Sequence, residues 1–181
     1  MNFFNTYEIK ILHSLHDILQ CDFLDFLMPH VTALGNYGIF WILLAVILLP
    51  FKRTRKIGLT MGIALILGLI VGNLTLKPLT ARIRPYDFDP SIRLLIPPEH
   101  EFSFPSGHTL ASFEGAAVIY IYHRKFGCAA LILAVLIAFS RLYLMVHYPI
   151  DVIAGGILGS IFALIAVKLT NLIFKNNSSI S

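Results

Sequence analysis

The sequence predicts an all-α fold: a polytopic transmembrane helix bundle of about five or six membrane helices, with an N-terminal amphipathic interfacial helix. Three observations carry that expectation. The 181 residues are 57% hydrophobic with a mean hydropathy of +0.78, more apolar surface than a soluble domain of this length can bury. The apolar residues fall into runs of about 20, the length at which an α-helix crosses about 30 Å of hydrocarbon. Charged residues make up only 13% and concentrate in the breaks between runs. At this length residues 1–181 read as a single domain.

Taken in order, residues 1–20 mix Ile9, Ile11, Leu12, Leu15, Ile18 and Leu19 with Glu8, Lys10, His13, His16 and Asp17, the pattern of a helix lying in the membrane interface. They lack the basic start, clean apolar centre and small-residue cleavage site of a signal peptide. The transmembrane bundle is expected over residues 22–174. From Asp22 to Pro50 the chain is apolar but interrupted by Pro29 and by Gly35-Asn36-Tyr37-Gly38, which fits one bent helix or two short ones. Ile57 to Leu76 is long enough to span. Further helices are expected from His108 to Tyr122, from Phe126 to Tyr143 and from Pro149 to Phe174, the first of them short. Pro149 is tolerated in a first helical turn and turns the residue before it away from helix. Residues 82–105 form an outer loop.

The net charge of +4 and pI near 9.2 do not point to nucleic acid, because the basic residues occupy short inter-helix turns rather than one face or a tail. Lys52, Arg53, Arg55 and Lys56, then Arg124 and Lys125, and finally Lys175, mark the cytoplasmic ends by the positive-inside rule. The opposite ends, at Lys77, His108, Arg141 and Pro149, then meet on the outer face. The expectation is a multi-pass cell-membrane protein whose site is extracytoplasmic. Cys21 and Cys128 have no partner pattern and read as small buried hydrophobes.

Three polar clusters lie at those outer ends. In Lys77-x6-Arg84-Pro85, with Arg82 between, the Arg fork and the compact Lys charge suit phosphate oxygens; singly, each is also what a membrane protein places at headgroup level. In Pro105-Ser106-Gly107-His108, Ser106 is a plausible N-cap. The free N–H groups of Gly107 and His108 would then face an anion, or simply begin a capped helix. His108 exchanges a proton near neutral pH. In Ser140-Arg141-x5-His147-x3-Asp151, Asp151 falls in the first turn of the last helix and reaches back to His147. A carboxylate on one ring nitrogen fixes the tautomer and leaves the other nitrogen free to attack. A capping Asp beside an interfacial His is the plainer alternative, and it accounts for neither Arg141 nor the meeting of the clusters.

Together these residues match the three-part signature of the type 2 phosphatidic acid phosphatase family, whose superfamily includes vanadium-dependent haloperoxidases. The chain resembles its small bacterial members, and no motif position is substituted. The resemblance implies a metal-independent phosphatase, without cofactor, that works through a phosphohistidine. His147 would attack phosphorus, oriented by Asp151, and His108 would protonate the leaving oxygen. Lys77, Arg84, Ser106, Gly107 and Arg141 would hold the phosphoryl oxygens.

Asp87, Asp89, Glu99, His100 and Glu101 share the loop between the first two motifs, but their spacing fits no closed metal pattern, and a hydrated outer loop is expected. Glu114 lies a turn or two inside its helix from His108, as a support to the site or part of a polar lining. A site at headgroup level suits a phosphorylated lipid whose tail stays in the bilayer. Among substrates handled by small relatives, undecaprenyl diphosphate comes first for an outward-facing site, ahead of phosphatidylglycerophosphate, phosphatidic acid and lipid A. A transporter would need more polar residues at mid-membrane than these helices offer. A haloperoxidase is disfavoured by the membrane bundle, and an inactive lipid-binding relative by the presence of both histidines and Asp151.

Overall fold

The structure is a computed structural model that describes residues 2–178, with side chains described for residues 5–175; among these every regular element is helical. The first helix, α1 (Asn2–Leu19), lays Ile9 and Leu12 against Ile92, Met145 and Tyr148. Its polar residues do not all face outward. Asn5 and Glu8 are buried, because the guanidinium of Arg82 lies beneath them to receive their oxygens.

The apolar stretch after Asp22 forms two short helices, α2 (Asp22–Ala33) and α3 (Ile39–Leu48), which together make one span. Pro29 sits inside α2 without ending it. The break comes in the tight turn Asn36–Gly38, where Tyr37 and Gly38 both adopt left-handed backbone, φ 53° and 66°. Next, α4 (Arg55–Leu67) widens into a π-helical stretch, Gly68–Leu76, and closes with α5 (Lys77–Thr80). Gly68 is needed here. A Cβ on it would stand 2.0 Å from Oε1 of Glu114, so the bare backbone makes room for that buried carboxyl. A left-handed Ala81 (φ 43°) ends α5, and Pro85 opens the single turn α6 (Pro85–Phe88).

Three helices complete the bundle: α7 (Gly107–Tyr122), α8 (Arg124–Tyr143) and α9 (Pro149–Ser178). The axis of the fold is α7, with α3, α4, α8 and α9 packed around it. Small residues permit that closeness, as between membrane helices generally. A Cβ on Gly155 or Gly159 of α9 would come within 2.8 Å of the Ser106 carbonyl or 2.5 Å of the Leu110 carbonyl of α7. Among the described residues, four stretches are long and apolar enough to cross a membrane: Asp22–Leu48, Arg55–Phe88, Arg124–Tyr143 and Pro149–Lys175. At 16 residues, α7 is about 24 Å long, shorter than these four, so the structure offers four candidate spans among the described residues where the sequence predicts about five or six membrane helices.

Cys21 and Cys128 are exposed rather than buried. Cys21 immediately precedes α2, and on α8 it is Gly127, not Cys128, that meets the backbone of Tyr120 on α7. At one end of the bundle Lys56 lies 5.8 Å from the rings of Tyr122 and Phe174. The other end gathers the close of α5, the starts of α7 and α9, and the close of α8, which brings the three polar clusters together.

Candidate active site

The start of α7 is built by Ser106, whose Oγ accepts from the Thr109 N–H at 3.4 Å and from the Thr109 hydroxyl at 3.0 Å. The backbone N–H of Ser106 donates to the Asp151 carbonyl at 3.1 Å, tying the start of α7 to that of α9. Gly107 brings this helix end close to Lys77: an added Cβ would be 3.8 Å from the Lys77 ammonium. With no side chain there, the N–H groups of the first turn and the Lys77 charge face the same space.

His147 is buried in the tight connection between α8 and α9. Its Nε2 lies 3.2 Å from Nη1 of Arg84, and its Nδ1 lies 3.5 Å from Oδ2 of Asp151. A guanidinium only donates, so Nε2 carries the lone pair and Nδ1 the proton. The Nδ1 contact is long, and a shift of about 0.5 Å makes it a full hydrogen bond. Burial favours neutral imidazole, and the positive charges of Arg84 and Arg141 reinforce it, so the His147 pKa lies well below the ordinary histidine value. An unprotonated Nε2 beside fixed cations is poised to attack an anionic phosphorus centre.

The Arg84 side chain is almost fully buried and anchored to main chain, with Nε donating to the Glu101 carbonyl at 2.8 Å and Nη1 to the Val146 carbonyl at 2.9 Å. Arg141 donates from Nη1 to Thr32 Oγ1 at 2.6 Å. Between them sits Glu99, 2.6 Å from Arg84 Nη2 and also bonded to Arg141 Nη2, while Glu101 pairs with Lys77. Burial raises the Glu99 carboxyl, but Arg141 and then Arg84 outweigh it and hold the pKa at about 2. The loop is therefore not merely hydrated: Glu99 turns inward onto Arg84 and Arg141, and Glu101, itself largely exposed, pairs with Lys77. Asp89 stays outside, bonded to His13 at 2.9 Å and to Ser91. Among the described residues no group of three or more His, Cys, Asp or Glu gathers to hold a metal ion.

His108, half-buried in the first turn of α7, places Nε2 2.9 Å from Asn36 Oδ1 in the α2–α3 turn and lies within reach of the charges of Arg141, Glu99 and Lys77. Glu114 is buried at the level of Gly68, with Oε1 unpartnered.

Sequence reasoning missed several participants. Arg82, flanked by the motif cations, turns to Asp151 instead, with Nη1 2.6 Å from Oδ1. Ser103 donates to Asp151 Oδ2, and the Tyr148 N–H reaches the same oxygen at 2.9 Å. Only the folded site reveals Ser103, Thr32, Asn36 and Glu99 as partners, since each acts across a long stretch of chain.

Comparison with known proteins identifies the family. Residues 54–175 match the PAP2 superfamily. The chain is 39% identical over 159 residues to an undecaprenyl-diphosphatase of Sulfolobus acidocaldarius, covering 87% of this chain and 76% of that one. It is 30% identical over 169 residues to the undecaprenyl-diphosphatase BcrC of Bacillus subtilis, covering 93% and 86%. The crystal structure of Aquifex aeolicus LpxE superposes with a TM-score of 0.75 at 28% identity, over 88% of this chain and 93% of that one. The helix bundle, the three clusters at one end and these likenesses converge: the chain belongs to the PAP2 superfamily, as a membrane lipid phosphatase.

Proposed function

We propose that this protein removes the terminal phosphate of a polyprenyl diphosphate, undecaprenyl diphosphate first among them, at the extracytoplasmic headgroup level through a phosphohistidine on His147. The observation that carries the reading is the orientation of His147, whose Nε2 lone pair faces Arg84 while Nδ1 faces Asp151. Nε2 attacks the terminal phosphorus and forms a P–N bond as the P–O bond to the lipid phosphate breaks, with His108 giving its proton to the leaving oxygen. Water then attacks the phosphohistidine and returns a proton to His108, releasing inorganic phosphate and neutral His147. Lys77, Arg84, Arg141 and the N–H groups from Ser106 to His108 stabilise the charge on the equatorial oxygens, so no divalent ion is required.

The substrate is supported by two relatives bearing the name undecaprenyl-diphosphatase, and the outward orientation by the Lys and Arg residues gathered at the opposite end of the bundle. The test is phosphate release by purified protein in detergent from undecaprenyl diphosphate, phosphatidylglycerophosphate, phosphatidic acid and lipid A, with and without EDTA. Preference for the polyprenyl diphosphate and indifference to EDTA are expected. Preference for another lipid moves the substrate, and loss of activity in EDTA restored by Mg²⁺ overturns the mechanism.

A further inference from the structure

Four of the five N–H groups of Arg82 are spent away from the phosphate-binding cations. Nε and Nη2 donate to Asn5 Oδ1 at 3.2 and 2.8 Å, Nη2 also bonds Glu8, and Nη1 donates to Asp151 Oδ1 at 2.6 Å. The guanidinium lies 3.9 Å from the centre of the Tyr148 ring. The other oxygen of Glu8 accepts the Ile150 N–H at 2.8 Å, at the start of α9. Arg82, Glu8 and Asp151 are all buried, so each charge depends on the others for compensation.

A continuous chain of contacts results: Asn5 and Glu8, Arg82, Asp151, His147, Arg84. One guanidinium braces the carboxylate end of the dyad and the other faces the imidazole end. With Oδ1 taken by Arg82, and Oδ2 bonded to Ser103 and the Tyr148 N–H, Asp151 cannot rotate without breaking several bonds. The α1 helix lies outside residues 54–175, so Asn5 and Glu8 lie beyond the stretch that matches the family.

We propose that Arg82 is a positioning residue, not a phosphate ligand, and that α1 takes part in turnover by holding Arg82 on Asp151 through Asn5 and Glu8. This rests on the reading of His147 and Asp151 as the working dyad. Without Arg82, Asp151 is a buried carboxylate lacking its cation and is free to turn from Nδ1, so the proton there is no longer held and His147 attacks less well.

The experiment is a double-mutant cycle on the full chain in detergent, reading kcat, KM and inhibition by inorganic phosphate for Arg82→Gln, Asp151→Asn and the pair. Arg82→Gln is expected to lower kcat by about tenfold or more, while KM and phosphate inhibition stay within about twofold. In the Asp151→Asn background the same change should cost less than about twofold, because the partner it serves is gone. Arg82→Lys should recover part of kcat, and Glu8→Gln should lower kcat by about threefold in wild type and not in Asp151→Asn. Weakened phosphate inhibition with kcat preserved makes Arg82 a ligand and overturns the proposal. Losses that multiply in the Asp151→Asn background also overturn it. If Asp151→Asn alone leaves kcat unchanged, the dyad reading itself has failed. Should Arg82→Gln not fold, the Glu8→Gln cycle decides by the same criteria.

Discussion

Nη1 of Arg84 stands 3.2 Å from Nε2 of His147, a donor facing a ring nitrogen, and that pairing assigns the proton to Nδ1 on the Asp151 side. Arg84 therefore fixes the tautomer of His147 as well as supplying charge.

Arg84→Lys keeps the charge and loses the fork that reaches His147, Val146 and Glu101 together. Turnover and vanadate inhibition should fall together, kcat/KM by about tenfold or more. Vanadate adopts the five-coordinate geometry of in-line displacement and reports the same donors. Vanadate inhibition unchanged beside lost turnover would separate the two roles.

Glu99 pairs with Arg84 and Arg141 in the position a phosphate would take on the proposed mechanism. Glu99→Gln removes that competing charge and is expected to strengthen vanadate inhibition and lower KM, each by about three- to tenfold. Weaker inhibition would show that Glu99 holds the cations in place for substrate.

Acid should destabilise the protein in two steps. His147 is held neutral in the folded state while an unfolded histidine takes up a proton near 6.5, so stability is complete above that value and falls as pH drops below it. Glu99, at about 2 when folded against an ordinary 4.5, adds a second loss as pH falls from 4.5 towards 2. Thermal unfolding in detergent between pH 8 and 3 tests this sign, and His147→Gln should flatten the first limb.

Gly68→Ala drives a methyl into the Glu114 carboxyl. It should lower the midpoint of thermal unfolding by several degrees, whereas adding Glu114→Ala should recover most of the loss. An equal loss in both backgrounds would place the strain in the π-helical backbone instead.

Topology is open to cysteine labelling once the exposed Cys21 and Cys128 are replaced. An impermeant reagent should modify cysteines placed at Asp89 or Arg93 from outside, and at Lys52 or Arg53 only after permeabilisation. The reverse pattern would put the site on the cytoplasmic side.

The long helices were legible because hydropathy and length specify them directly, and the meeting of Lys77, His108, Arg141 and His147 at one end followed from counting crossings. What escaped was contact between residues far apart in sequence. Nothing about Glu8 distinguishes a polar-face residue from a buried one until Arg82 is seen beneath it. Glu99 and Glu101 look like any solvated acids until the loop is folded back onto Arg84, Arg141 and Lys77. Cys128 misled because an apolar run says which residues lie in a helix, not which side of it faces the core.

The backbone bond from Ser106 to the Asp151 carbonyl, with Gly155 and Gly159 seating α9 directly on α7, has a mechanical outcome. The starts of α7 and α9 are riveted into one frame, so the separation of the α7 first-turn N–H groups from the backbone of Asp151 is set by main chain. Room for a headgroup would then have to come from side chains outside that frame, first of all the Glu99 and Glu101 carboxylates that pair with Arg84, Arg141 and Lys77.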